Sequence, residues 1–192
     1  MKKSIITFCV LALVTLALVG CVDLDEGKAK KAGEAFIKSI YTVDEKEVAD
    51  FSVPVPPTIT EEGPKGEENY KKQSDAFIET MKSIDKNIID LMTKEGYEEA
   101  SRNQFNVVST KICASNNYTA QITDVVLGGN LYEGFVDTDK VRYLYVAELD
   151  FMSYDGKTIL ADTVKGGVEL VKEDDKWKVC SLDIIKFPKL YK

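Results

Sequence analysis

The chain has 192 residues, a formal net charge of −7 at pH 7 and no histidine. The absence of histidine excludes histidine acid–base chemistry, the Ser–His and Cys–His nucleophile pairs and the commonest zinc ligand. The acidic balance argues against nucleic acid as a partner and against a polybasic surface for lipid headgroups. No motif in the chain indicates a catalytic residue, a metal site or a cofactor, so none is predicted.

The N-terminus has the pattern of a secretory signal. Two lysines follow Met1, and an uncharged run extends from residue 4 to residue 22. Within that run, Leu18-Val19-Gly20-Cys21 resembles the lipobox of bacterial lipoproteins, in which an aliphatic residue and small residues precede a cysteine. The resemblance implies that the Cys21 thiol receives a diacylglyceryl group and that a peptidase cuts before Cys21.

Two other interpretations of this segment stay open. The run is close to the roughly 20 residues that span a bilayer, so it could remain as a transmembrane helix. It could also be an ordinary cleaved signal that leaves Cys21 unmodified.

The lipoprotein interpretation sets the domain plan and the location. Residues 1–20 are the signal peptide, residues 21–27 a short tether and residues 28–192 a single domain. Removing residues 1–20 takes away Lys2 and Lys3 and no acid, which changes the formal charge from −7 to −9. Because each acyl CH₂ contributes about 0.8 kcal/mol to membrane partition, we expect the lipid to hold the domain at the extracellular face of the cell membrane.

Cys113 and Cys180 remain once Cys9 of the signal peptide and the lipidated Cys21 are set aside. In an exported chain an even pair of cysteines is a candidate disulfide. The alternative is two separate buried thiols, because sequence spacing alone cannot place two sulfur atoms within bonding distance.

The first half of the domain has helical patterning. Apolar residues recur at helical spacing after residue 28, which predicts a helix over residues 25–42. Asp44 is placed to cap a short helical turn that runs through Val48. Four prolines between residues 51 and 66 predict a surface crossover, with a lid or partner-contact loop as the alternative.

Two further helices are predicted. Apolar residues recur at threes and fours over Glu67–Lys94, and Gly96 is expected to end this helix. The stretch Tyr97–Ala114 fits both a strand and a helix, and the i,i+4 pair Glu98 and Arg102 favours the helix.

The second half has the alternation typical of β-strands. Four strands are predicted, joined by an Asp155-Gly156 hairpin and other tight turns, and Gly166-Gly167 is expected to form a bulge or bend. Long strands joined in this way form an antiparallel meander, and helices followed by a sheet make an α+β domain. The predicted strands are residues 118–127, 141–151, 159–171 and 177–187.

This order of elements resembles the nuclear-transport-factor-2-like, or cystatin-like, cone fold. The resemblance is carried by the helix from Ala29 to Tyr41, the Asp155-Gly156 hairpin and the last-strand sequence Asp175-Lys176-Trp177-Lys178-Val179. It implies N-terminal helices packed on a curved antiparallel sheet of about four strands, with a concave face where ligands bind. Small lipoproteins of Gram-positive bacteria often pair a lipobox with such a domain, which serves enzymes, carriers and binding modules alike.

A candidate pocket lies on the predicted concave face. Tyr143 and Tyr145 alternate onto one face of the second strand, and Asp162 on the third strand is expected to face them. A Tyr/Asp pair in an apolar pocket can abstract a proton next to a carbonyl, as the isomerases of this fold do. The tyrosines could instead be core residues with their hydroxyls at the rim.

Two classes of function are predicted. The first is a membrane-anchored, non-catalytic module that binds an envelope protein, a peptide or a small apolar ligand near the cell surface. The second is a small extracytoplasmic enzyme of isomerase or hydrolase type that uses the Tyr/Asp groups of the pocket. In both, the N-terminal lipid makes the membrane a partner, and nucleic acid is not one.

Overall fold

The computed structural model describes residues 26–51, 58, 63–130 and 139–191. The signal segment, Cys21 and most of the tether lie outside these residues, so the expectations about them stay predictions. Glu26 and Gly27, which the sequence assigns to the tether, are helical. Among the described helices, none is both long and apolar enough to span a membrane.

The second half of the described chain forms an antiparallel sheet. Its strands are β1 (Thr119–Asn130), β2 (Lys140–Met152), β3 (Thr158–Glu173) and β4 (Lys176–Lys186). They lie in chain order, and each pairs antiparallel with the next. Helices precede this sheet and pack on it, so the predicted α+β class is confirmed.

Two tight hairpins set the register of the sheet. Gly156, between β2 and β3, has a φ of 81°, a conformation that glycine adopts without strain. Asp174 and Asp175, between β3 and β4, have φ values of 49° and 62°, the pattern of a type I′ turn. Both turns lie where the sequence predicts them.

The sheet has one buried face, which the helices cover. On β2, the odd-numbered residues from Val141 to Phe151 are buried, and the even-numbered ones are exposed or half-buried. The first helix approaches this face closely, because a Cβ at Gly33 would lie 2.9 Å from a methyl carbon of Leu127 and 3.5 Å from one of Leu170. The core therefore lies between the helices and the sheet.

The helical layer begins with α1, whose described part is residues 26–41. The other helices are α2 (Glu45–Asp50), α3 (Pro64–Ile84), α4 (Lys94–Arg102) and α5 (Val108–Asn116). Asp44 caps α2 as predicted: its carboxylate accepts a hydrogen bond from the Glu47 N–H at 2.8 Å, and the Glu47 carboxylate accepts one from the Asp44 N–H at 3.0 Å.

Helix α4 packs directly against the last strand. The Thr93 N–H donates to the Val179 carbonyl at 2.9 Å, and the Thr93 hydroxyl caps α4 by accepting from the Gly96 N–H at 3.0 Å. A Cβ at Gly96 would lie 2.7 Å from the Cys180 carbonyl oxygen. Gly96 thus permits close contact between α4 and β4, and its prediction as the end of a preceding helix is wrong.

The helix predicted over Glu67–Lys94 is divided. α3 ends at Ile84, and the chain turns at Asp85 before a short 3₁₀ helix at Ile89–Leu91. The apolar spacing continues through the turn because Ile88 still reaches the core, where it is 4% exposed. The apolar periodicity therefore predicted correctly that these residues are buried, but wrongly that they belong to one continuous helix.

The stretch Tyr97–Ala114 also contains two helices rather than one. Gln104 adopts a left-handed conformation with a φ of 56° after α4 ends, and a 3₁₀ helix at Phe105–Val107 leads into α5. The predicted pair of Glu98 and Arg102 forms at 3.2 Å. The helical character of this stretch is confirmed, and its single-helix form is wrong.

The predicted irregularity lies at Gly166, where the pairing with β4 shifts register. The register shift next to it places the extra residue, Ile185, on β4. A Cβ at Gly166 would clash with the Asp183 carbonyl oxygen and would lie 2.6 Å from the Tyr145 ring. The glycine is needed because the Tyr145 side chain lies across it.

Candidate functional site

Tyr143 and Tyr145 share the buried face of β2, as predicted, but they are covered. Tyr143 is 3% exposed and Tyr145 is 1% exposed. The Tyr145 hydroxyl lies 2.9 Å from the hydroxyl of Tyr41 on α1. Burial raises the pKa of Tyr143 to about 12 and that of Tyr145 well above its usual range. Both hydroxyls are therefore protonated at neutral pH, which fits the core interpretation.

Asp162 does not face these tyrosines. In the register of β2 and β3, Asp162 lies opposite Leu149, whereas Tyr145 lies opposite Gly166. Four residues along a strand correspond to about 13 Å. The three residues therefore do not form the single pocket that the sequence predicts.

Asp162 instead holds the chain that follows β4. Its carboxylate accepts hydrogen bonds from the Lys189 N–H at 2.6 Å and from the Thr163 N–H at 2.8 Å. The ammonium groups of Lys186 and Lys189 lie 3.9 Å and 3.8 Å from it. A cavity of about 300 Å³ borders Asp162, and neither tyrosine lines it.

Cys113 and Cys180 are both free thiols, so the candidate disulfide is not formed. Cys113 is buried in α5, where burial raises its pKa to about 12. Cys180 lies on β4 with its Sγ 3.5 Å from the Glu169 carbonyl oxygen, and burial raises its pKa to about 11. Of the two interpretations left open by the sequence, the structure has two separate thiols.

A larger cavity, of about 380 Å³, lies within the helical layer. It is bordered by the end of α1, by α2, by the end of α3 with the turn that follows, by the 3₁₀ helix Phe105–Val107 and by α5. Its walls are mostly polar. The residues that line it are Ser39, Ile40, Thr42, Asp44, Lys46, Glu47, Asp50, Phe51, Thr80, Ile84, Asp85, Lys86, Asn87, Ile88, Asn106 and Thr110.

Asp85 is the buried acid of this cavity and is 8% exposed. It lies where α3 ends, and its carbonyl accepts from the Ile88 N–H at 3.0 Å. Its carboxylate accepts a hydrogen bond from the Tyr97 hydroxyl at 3.2 Å and another from the Asn106 side-chain amide. One carboxylate therefore joins the end of α3 to α4 and to the 3₁₀ helix before α5.

The electrostatic surroundings of Asp85 are unfavourable for a charge. Burial raises the pKa of Asp85 to about 7, although the hydrogen bonds from Tyr97 and Asn106 act in the opposite direction. The negative charge of Glu47 raises it further. Among the described residues, no basic side chain lies within ion-pairing distance of the Asp85 carboxylate.

Asn106, which also lines this cavity, has a buried acceptor without a partner. The residue is 3% exposed, and its Oδ1 has no hydrogen-bond partner among the described residues. Its Nδ2 is used twice, because it donates to Asp85 and to the Ser101 hydroxyl, the latter at 3.3 Å. Leaving a buried acceptor without a partner lowers the free energy of unfolding by about 1–3 kcal/mol.

Sequence reasoning missed this site, although one signal was present. Asp85 lies among the apolar residues Met81, Ile84 and Ile88, at a position where the helical pattern calls for an apolar side chain. A lone acid on an apolar stripe is a candidate buried carboxyl group. Asn106 gave no comparable signal, because its place beside Asp85 depends on how the chain folds.

No protein-family model and no curated protein matches this chain significantly in sequence. Among solved structures, the chain is similar to an IcmL-like type IV secretion system protein from Legionella pneumophila, with 13% identity over 82% of this chain and 88% of that one and a TM-score of 0.46. It is also similar to the protein Aln2 from a Streptomyces species, with 13% identity over 64% of this chain and 91% of that one and a TM-score of 0.34.

A third similar structure is a candidate polyketide cyclase from Xanthomonas campestris, with 11% identity over 83% of this chain and 90% of that one and a TM-score of 0.34. Similarities at these scores and identities carry no argument about family or activity. The functional case therefore depends on the residues of this chain.

Proposed function

We propose that the chain is a lipid-anchored extracytoplasmic protein whose domain binds a small polar ligand in the cavity around Asp85, without changing it. The lipobox-like Leu18-Val19-Gly20-Cys21 supports the anchor. The cavity supports the binding role. Its polar lining favours a polar ligand over the small apolar one expected from the sequence.

The observation that carries the binding proposal is the buried Asp85 carboxylate in the lining of a mostly polar cavity. A buried carboxylate is normally paired with a basic group or loses its charge. Among the described residues no basic side chain lies within ion-pairing distance of Asp85, and a bound molecule would supply the missing partner.

A thermal-shift screen of small-molecule fractions from the producing cells and their medium tests the proposal. A ligand at 100 times its Kd raises the melting temperature of a domain of this size by roughly 5–10 °C. We expect at least one fraction to stabilise the wild-type protein. The Asn87→Phe variant, with a bulky side chain at the cavity wall, should lose this stabilisation.

Asn103→Phe is the matched control, because Asn103 is an exposed asparagine in a helix-connecting turn that does not line the cavity. It should respond to the same fractions as the wild type. If no fraction stabilises the wild-type protein, or if Asn87→Phe is stabilised equally, the binding proposal fails.

A second candidate function is acid–base catalysis in the same cavity. The observation that favours it is the Asp85 pKa of about 7, since a carboxyl group that titrates near neutral pH is suited to proton transfer. Asp85 and Tyr97 would then replace the Tyr143, Tyr145 and Asp162 set expected from the sequence. Conversion of the identified ligand by the wild type but not by Asp85→Asn would support catalysis, and recovery of unchanged ligand would contradict it.

A further inference from the structure

We propose that the cavity takes a ligand with a primary ammonium group, which pairs with the Asp85 carboxylate. The inference rests on the proposed binding function and deepens it by naming the chemical class of the ligand. Nothing in it requires a chemical change of the ligand.

The kind of hydrogen-bonding group that Asp85 offers favours an ammonium group. When it is ionised, the Asp85 carboxylate can only accept hydrogen bonds, and its side-chain donors among the described residues are the neutral groups of Tyr97 and Asn106. An ammonium group carries three donors and no acceptor.

The charge around the cavity also favours a cation. Asp85 is faced by Glu47 from α2 and by the neutral Tyr97 hydroxyl from α4, and the lining residues of α1 and α5 carry no charge. A cation would pair with the Asp85 carboxylate and weaken its repulsion by Glu47, whereas an anion would add to that repulsion. The other charged lining residues are Asp44, Lys46, Asp50 and Lys86, all of them exposed.

Among the described residues, no basic side chain lies within ion-pairing distance of the Asp85 carboxylate. A buried carboxylate is normally paired with a basic group or loses its charge. The side chains that donate hydrogen bonds to Asp85 are a phenol and an amide, both neutral. A neutral polyol would leave the buried charge unpaired, so an ammonium group fits Asp85 better.

The test uses three probes that share a five-carbon chain and differ in charge: the cation pentylammonium, the neutral alcohol pentanol and the anion pentanoate. Binding to the full domain is followed by NMR, from the side-chain amide of Asn106 and the carboxyl carbon of Asp85. We expect pentylammonium to bind more tightly than pentanol and pentanoate. Its affinity should rise about tenfold per pH unit from pH 5 towards pH 7, as Asp85 loses its proton, and then level off.

Two variants complete the test. Asp85→Asn should weaken pentylammonium binding about tenfold or more and pentanol binding much less, since it removes the charge and keeps the shape. Asp90→Asn, the same change at an exposed position that does not line the cavity, should bind like the wild type. If Asp85→Asn does not fold, the pH profile of the wild-type protein tests the inference without a variant.

Equal or tighter binding of pentanol or pentanoate would overturn the inference, as would a flat pH profile or no binding of any probe. These outcomes are distinguishable from failure of the proposed function. If the screen of cell fractions yields a neutral or anionic ligand that depends on Asn87, the binding function stands and the ammonium inference fails.

Discussion

At the residue scale, Asp85 shows how one buried polar group can organise several elements. It is the residue at which α3 ends, and its side chain accepts hydrogen bonds from Tyr97 and Asn106. The cost of burying a carboxyl group appears as a pKa of about 7, even though two donors act to lower it. Such a group is an unusual choice for stability alone, because an apolar residue at the same position avoids the desolvation cost.

The raised pKa of Asp85 predicts a pH dependence of stability. Between its unfolded pKa near 3.8 and its folded pKa of about 7, the folded protein holds a proton that the unfolded chain has lost. Stability should therefore fall as the pH rises through this window, by at most about 4 kcal/mol, and the loss should be complete above pH 7. Urea unfolding of the wild type and Asp85→Asn at pH 5 and pH 8 measures the difference.

The free energy of unfolding of Asp85→Asn relative to the wild type should increase from pH 5 to pH 8. The exposed control Asp90→Asn should show no such change. If the free energies of unfolding of the wild type and Asp85→Asn differed by the same amount at pH 5 and at pH 8, a buried carboxyl group with a raised pKa at this position would be contradicted.

The two thiols give a second prediction at this scale. Cys113 and Cys180 are unbonded, so both should react with a thiol reagent when the mature protein is unfolded without reductant. In the folded protein the buried Cys113 should react only as fast as the domain opens. Mass analysis counts the labels, and a chain that accepts none until reductant is added would show that the disulfide exists.

The face on which a side chain lies was predicted correctly where it depends only on the strand that contains the residue. The alternation that puts Tyr143 and Tyr145 on one buried face is a property of β2 alone. Asp162 was misplaced because its position depends on the register between β2 and β3, which sets it opposite Leu149. That register follows from the hairpin and from a shift near Met152, and neither can be deduced from strand alternation.

At the element scale, the helices show that apolar periodicity indicates which residues are buried, not where a helix ends. The apolar pattern of Glu67–Lys94 passes through the turn at Asp85 because residues on both sides face the same core. Gly96 was predicted to be a helix end, since glycine often follows one. Its actual role depends on the backbone of β4, about 84 residues later in the chain, which lies against α4.

The contact between α4 and β4 predicts a large effect of a small change. Gly96→Ala places a methyl group 2.7 Å from the Cys180 carbonyl oxygen, so the helix must move away from the strand. We expect a loss of about 1–3 kcal/mol in the free energy of unfolding, measured with urea.

Gly27→Ala is the matched control for Gly96→Ala. A Cβ at Gly27 meets no atom within 4 Å, and alanine in a helix is more favourable than glycine by roughly 0.5–1 kcal/mol. This variant should be as stable as the wild type or slightly more so. Equal effects of the two substitutions would show that α4 and β4 are not in close contact.

At the scale of the whole molecule, the order of helices and strands was predictable and the cavity was not. The meander follows from alternation and turn residues, which are local signals. The cavity is built from residues 39–51, 80–88, 106 and 110, which come together only when the helical layer forms. The sequence shows which polar residues are present, but it does not show which of them lie close together in the folded chain.

The anchor is a prediction about the whole protein in its cell. Cys21→Ala removes the only sulfur available to the proposed lipid at the cleavage site. We expect the variant either to be released into the medium or to persist as the uncut precursor, as judged by fractionation and N-terminal mass analysis. Membrane retention of a processed Cys21→Ala chain would refute the lipid anchor.

The most direct measurement is native mass spectrometry of the full protein, extracted from its own membranes in mild detergent. We predict an acylated chain beginning at Cys21 with a small molecule bound, which is lost on denaturation and absent from the Asn87→Phe protein. An acylated chain with nothing bound, or the same bound molecule in Asn87→Phe, would contradict a ligand site in the cavity of Asp85 and Asn106.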